Sequence, residues 1–174
     1  MSRKAIYCIC GEGGGTGGPN KAYYKLEQAL AGMYTVVNYE TIPRSISLNV
    51  ANLMHIISTN ITNFDEIYII GWGMGSQVAV QVTYHVNNYI KADYVKGIVL
   101  ISSPIAHTDL LAHINVTVIF IHGTGDKILP FSNSKKLYNK YAHAKHICLM
   151  DNQNHGYMMG DSDIAEVMKG YFMF

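Results

Sequence analysis

A three-layer α/β/α sandwich around a parallel six-stranded sheet is the fold class this sequence predicts, and three observations predict it. Six short runs rich in β-branched and aromatic residues recur at the spacing of βα units. Most of these runs are continuously apolar, the pattern of strands covered on both faces. Helical periodicity fills the gaps between them, with no internal repeat and no linker, so the 174 residues read as one α/β domain spanning 1–174.

The first strand is expected over 4–10 (KAIYCIC). After a glycine-rich loop, a helix is expected over 20–33, opened by Pro19-Asn20 as a cap and carrying Tyr24, Leu26 and Leu30 at helical spacing. The second strand covers 34–39 (YTVVNY), and the helix over 47–60 turns Leu48, Leu53, Ile56 and Ile57 toward a core. The third strand, 66–71 (EIYIIG), runs through a second glycine cluster into a helix over 76–90. The fourth strand is 95–102, and the segment 103–115 is the one plausible insertion, too short for a lid. The fifth strand, 116–122, is followed by a helix over 132–142 beyond Pro130. The sixth strand is 146–150, and a helix beginning after Asp161 closes the chain.

Composition narrows the function classes. A formal charge of +1 gives no electrostatic case for nucleic acid or an anionic membrane. No apolar run approaches the ~18–20 residues that span a bilayer, and the start MSRKAIYCIC meets glycines too early for a signal peptide. Cys8, Cys10 and Cys148 lie in strand-like runs and read as buried reduced thiols, which predicts a reducing, cytoplasmic setting. Cys8 and Cys10 share a strand face, yet no second Cys or His pair lies nearby to complete a zinc site, so no metal is expected. The sequons at Asn60 and Asn115 read as incidental without a secretory signal.

Two glycine motifs compete for the chemistry. Gly13-x-Gly15-x-x-Gly18 after the first strand satisfies a dinucleotide fingerprint, and Glu40 ends the second strand near where a ribose-binding acid would stand. The loop from Gly11 to Pro19 is longer than that fingerprint's tight turn, however, and a glycine-dense stretch matches it easily. The second motif, Gly71-Trp72-Gly73-Met74-Gly75, follows a strand and opens a helix, the context of a G-x-S-x-G nucleophile elbow. Beyond the fifth strand stands IHGTGDKILP with Asp126, and beyond the sixth stands MDNQNHGY with His155. Elbow, then acid, then histidine is the chain order of α/β-hydrolases.

On these motifs the whole chain resembles a compact α/β-hydrolase without a cap domain, similar to the dienelactone-hydrolase-like branch. The resemblance implies the sheet order 2-1-3-4-5-6 and a serine hydrolase of small esters or thioesters. It implies Gly73 at the nucleophile position, Asp126 as the acid and His155 as the base, with the backbone N–H groups of Glu12 and Met74 as the oxyanion hole. It implies no cofactor, and a small acyl or ester-like ligand in an open, shallow cleft.

The departure from the pattern is at position 73, where glycine offers no atom to attack a carbonyl. A native pseudoenzyme and an engineered knockout both fit, as does a non-catalytic protein that binds a ligand or partner in the same cleft. Glu12 beside an oxyanion is tolerable only with its carboxylate turned to solvent. Asp126 could instead cap its own turn, and His122, at a strand end, reads as a packing residue. Ser76, three residues into a helix, reads as helix–sheet packing rather than a replacement nucleophile. Ser102 and Ser103 could line the pocket, and Trp72 could wall it.

Overall fold

The computed structural model describes residues 2–173. Six parallel strands form one sheet in the order β2-β1-β3-β4-β5-β6. They are β1 (Lys4–Ile9), β2 (Thr35–Tyr39), β3 (Glu66–Trp72), β4 (Val95–Ile101), β5 (Thr117–Gly123) and β6 (Lys145–Met150). The helices are α1 (Ala22–Ala29), α2 (Ile46–Thr59), α3 (Met74–His85), α4 (Ser132–Lys140) and α5 (Ile164–Phe172). A π-helical turn, Val86–Ile90, extends α3, and a 3-10 turn, Asp109–His113, is the only element between β4 and β5.

The sheet divides two apolar cores, and the strands supply both by alternation. In β1, Ala5, Tyr7 and Ile9 face the core shared with α2 and α3, while Ile6 and Cys8 face the core shared with α1 and α5. In β5, Val118 and Phe120 face the first core, and Ile119 and Ile121 face the second. Because both faces need apolar residues, these central strands read as unbroken hydrophobic runs. The thiols of Cys8 and Cys10 sit buried and free in the second core, and burial raises both, that of Cys10 to about 11. No described helix is long and apolar enough to cross a membrane.

Three local expectations are corrected. Pro19-Asn20 does not cap α1: Asn20 and Lys21 take left-handed backbone (φ 49° and 56°), and the helix starts at Ala22 with no side-chain cap. That shift brings Tyr23 inside, where its hydroxyl donates to the Ile9 carbonyl at 3.0 Å, and leaves Tyr24 42% exposed. Leu48 is 46% exposed because its neighbour Asn49 takes the inward position. There the Asn49 amide donates to Ile42 O and Ser45 O and accepts from Ile42 N and Tyr39 Oη, stapling the β2–α2 loop to the helix. Satisfying that buried loop backbone outweighs the gain from burying one leucine. Finally, the last helix starts three residues beyond Asp161, with Asp163 as its cap, the carboxylate accepting from Ala165 N at 2.9 Å.

Candidate active site

The C-terminal ends of β1, β3, β5 and β6 bring together four loops that the sequence scatters over 140 residues or so. Gly73 lies between β3 and α3 at φ 55°, ψ −119°, a backbone region that residues with a Cβ rarely adopt. Its neighbours fix this turn. A Cβ at Gly71 would lie 2.3 Å from Gly75 O, and a Cβ at Gly75 would lie 2.5 Å from Ile9 O. Gly73 N donates to Ile101 O at 2.8 Å, tying the turn to β4. Ser76 is fully buried beneath it, its hydroxyl within 2.8 Å of Gly71 O and 3.2 Å of Ile101 O.

The loops after β5 and β6 are zipped to each other by backbone. Thr124 N donates to Met150 O at 2.9 Å and Gly125 N to Gln153 O at 3.0 Å. Gly123 permits this approach, since a Cβ there would meet Gln153 O at 2.2 Å. The zipper delivers His155 to Asp126, with Nδ1 2.7 Å from Oδ2. The other ring nitrogen points at the elbow: a Cβ built at Gly73 would lie 3.6 Å from His155 Nε2 and 3.9 Å from Gly11 Cα. Gly73, Asp126 and His155 therefore converge, and His155 alone of the pair is solvent-accessible, at 19% against 0% for the Asp126 side chain.

Asp126 is an anion held without a lysine or arginine. Its Oδ1 accepts from Ile128 N and Leu129 N, each at 2.9 Å, and Oδ2 meets His155 at 2.7 Å and His122 Nε2 at 3.3 Å. Burial alone would raise this carboxyl, but hydrogen bonds from His122, His155 and Leu129 outweigh it and hold the group well below the usual carboxylate range. His122 does more than the packing its strand-end position predicts. It is fully buried at the end of β5, and it also reaches Asp126. Its four-residue spacing from Asp126 across two glycines was the available signal, because that tight turn folds the carboxylate back onto the ring.

Trp72 does wall the site. Its ring lies 5.5 Å from that of His155, tilted by 33°, and its Nε1 donates to His155 O at 3.1 Å. Gly14 makes room for it, since a Cβ there would lie 2.3 Å from the indole. Glu12 follows Gly11 in the same loop and turns its half-exposed carboxylate outward to Arg44, 3.5 Å away. The Met74 N–H is the first of α3, so it has no acceptor within the helix and belongs to the positive end of the helix dipole. Ser102 and Ser103 do not line an open pocket. Both are fully buried, with Ser102 Oγ 2.9 Å from Tyr157 Oη and Ser103 Oγ on Pro104 O at 3.0 Å. A cavity of about 730 Å³ lies away from the site, at the opposite strand ends between the starts of β1 and β2 and the end of α5.

The dinucleotide reading fails on topology. β1 lies between β2 and β3, whereas the dinucleotide fold places two strands beyond β1 on that side. Its glycines lead into a 3-10 turn, Pro19–Lys21, not straight into a helix N-terminus that could cradle a pyrophosphate.

Solved structures share the architecture at low identity. Est1E from Butyrivibrio proteoclasticus superposes with a TM-score of 0.79 at 11% identity, covering 98% of this chain and 86% of that one. Dienelactone hydrolase from Anabaena variabilis gives 0.79 at 12% identity, covering 99% and 86%. A lipase-esterase related protein from Clostridium acetobutylicum gives 0.73 at 13% identity, covering 98% and 93%. No curated protein matches the chain significantly in sequence. The sequence profile of the alpha/beta hydrolase family matches residues 14–162, from the glycine loop past His155, and the chain belongs to that family.

Proposed function

We propose that this chain carries the machinery of a serine hydrolase for small esters or thioesters, complete except for the nucleophile. Gly73 holds the nucleophile position, His155 is the base, Asp126 is the acid of a catalytic triad, and the amides of Glu12 and Met74 form the oxyanion hole. One observation carries the reading: His155 binds Asp126 through Nδ1 at 2.7 Å and presents Nε2 3.6 Å from the Cβ position of residue 73. A serine there would set its hydroxyl within hydrogen-bond reach of a base whose tautomer the carboxylate fixes.

As the chain stands, position 73 offers no side chain to form an acyl-enzyme. The space left by the missing hydroxymethyl group suits a water, which the His155–Asp126 pair could activate for feeble direct hydrolysis only. The protein is therefore inactive or nearly so, a pseudoenzyme in its present sequence. A second reading, an acyl-ligand receptor without catalysis, is favoured by the open access to His155 beside Trp72.

Placing serine at position 73 separates the two. Gly73→Ser should label with a fluorophosphonate probe and turn over short activated esters, and His155→Ala should abolish both. A serine form that folds but neither labels nor turns over any ester or thioester would sink the hydrolase reading and leave the receptor.

A further inference from the structure

We infer that His122 is a positioning residue that holds the Asp126 carboxylate against His155, an inference that rests on reading those two as acid and base. A carboxylate has about four acceptor sites, and at Asp126 each has a donor: Ile128 N and Leu129 N on Oδ1, His155 and His122 on Oδ2. Three of these follow from the turn or from His155 itself. His122 is the one side chain that reaches the carboxylate from the sheet, and it approaches the same oxygen that His155 uses.

The His122 ring is itself locked. Nε2 lies 2.9 Å from Leu129 O, which can only accept, so Nε2 carries a proton shared between that carbonyl and Asp126 Oδ2 at 3.3 Å. Nδ1 lies 2.7 Å from Ser134 Oγ, so in the neutral ring the serine donates to it. Ser134 is the third residue of α4 and fully buried. The chain Ser134, His122, Asp126, His155 thus links α4 to the mouth of the site through side chains with no rotational freedom to spare. Deleting His122 leaves Oδ2 with a single partner and frees the carboxylate to rotate off His155.

A reporter exists that stability alone does not move. The His155 Nδ1 proton bonded to Asp126 should give a far-downfield proton resonance in the unaltered Gly73 protein, assigned by its loss in His155→Ala. In folded His122→Phe that resonance should vanish or move upfield. His122→Gln, which keeps an N–H donor at similar reach, should restore it. In the Gly73→Ser form, His122→Phe should lower kcat by ~10-fold or more with KM within about twofold, because His122 touches no ligand.

An unchanged downfield resonance in folded His122→Phe overturns the inference. Should that variant not fold, Ser134→Ala decides, since broadening or an upfield shift supports the inference and an unchanged line overturns it. If Gly73→Ser proves inactive while the resonance responds to His122, the hydrolase reading falls and the positioning role stands.

Discussion

The elbow at Gly71–Gly75 holds its shape almost without side chains, whereas the loops bearing Asp126 and His155, zipped together by backbone, need side-chain hydrogen bonds to bring their functional groups into register. At the elbow, backbone approaches of 2.3–2.5 Å to imagined Cβ atoms leave one solution for the chain, and Gly73 keeps its left-handed turn with no side chain to require it. Across the cleft, once the backbone zipper has joined the loops, the carboxylate, two imidazoles and a serine hydroxyl fix how the polar groups meet, and each depends on the next. The difference teaches that this site separates shape from chemistry. A glycine at the tip leaves the elbow standing, while loss of any polar member opposite should propagate.

The largest effect expected is therefore a gain at position 73. Removing a triad nucleophile typically costs several orders of magnitude in rate, with much of the loss shared among the members. Gly73→Ser should recover at least ~10³-fold in ester turnover, measured as kcat/KM on a short activated ester. Left-handed backbone at a non-glycine residue costs about 1–3 kcal/mol, so the same variant should melt lower, not higher. Improved function with reduced stability is the signature that the elbow was already shaped for the serine. Equal or higher stability with no turnover would break the comparison from the elbow side.

Next in size is the elbow's backbone. Gly75→Ala places a methyl 2.5 Å from Ile9 O, a contact that only main-chain movement relieves. About 3 kcal/mol of destabilisation follows, the upper end of what overpacked cores typically show, read as a lower denaturation midpoint. A smaller loss would mean the turn has slack that the glycines do not remove.

On the other side, the expected signature is a dependence on pH. Asp126 is held well below the usual carboxylate range when folded, while in the unfolded chain it titrates near ~3.9. A depressed folded value means the unfolded state binds the proton first as pH falls. The stability Asp126 contributes is thus whole above about pH 5, begins to be lost as pH falls through about 4, and keeps falling toward the folded value. Denaturant midpoints from pH 6 to 3 should fall more steeply for the parent than for Asp126→Asn, which starts lower for want of the charge. Parallel curves would show that the histidines do not stabilise the carboxylate.

How much of this was legible in the sequence follows from the same split. Central strands covered on both faces must be apolar throughout, and β-branched or aromatic residues marked the edge strands too, so all six were readable to within a residue or so of their bounds. The elbow was readable because glycines at 71, 73 and 75 encode a steric demand locally. The positions of Asp126 and His155 followed from their order after β5 and β6. What escaped was long-range polar pairing. His122 looks like any strand-end residue until the turn folds Asp126 back and α4 brings Ser134 to its other nitrogen. Asn49 likewise looks like a surface residue until the loop it staples is closed, and its inward turn is what puts Leu48 outside.

The smallest effect expected concerns Ser76, the hydroxyl nearest the elbow in sequence and the natural suspect if the Gly73 protein shows any activity. Its Oγ donates toward Gly71 O at 2.8 Å and lies 3.2 Å from Ile101 O, and the residue has no solvent exposure. Ile101 O already receives Gly73 N at 2.8 Å, so it keeps a partner when Ser76 is truncated. Gly71 O alone loses the serine's donation, which sets the cost of Ser76→Ala at about 1 kcal/mol. Chemistry should not change, because this hydroxyl is turned down onto the ends of β3 and β4 rather than toward His155. Ser76→Ala in the Gly73 protein should leave any residual hydrolysis within about twofold, and the Gly73→Ser, Ser76→Ala double variant should label with the fluorophosphonate at the rate of Gly73→Ser alone. Labelling of the unaltered protein that disappears with Ser76→Ala would move the nucleophile one turn into α3, and the backbone-built elbow would then serve chemistry from below rather than from its tip.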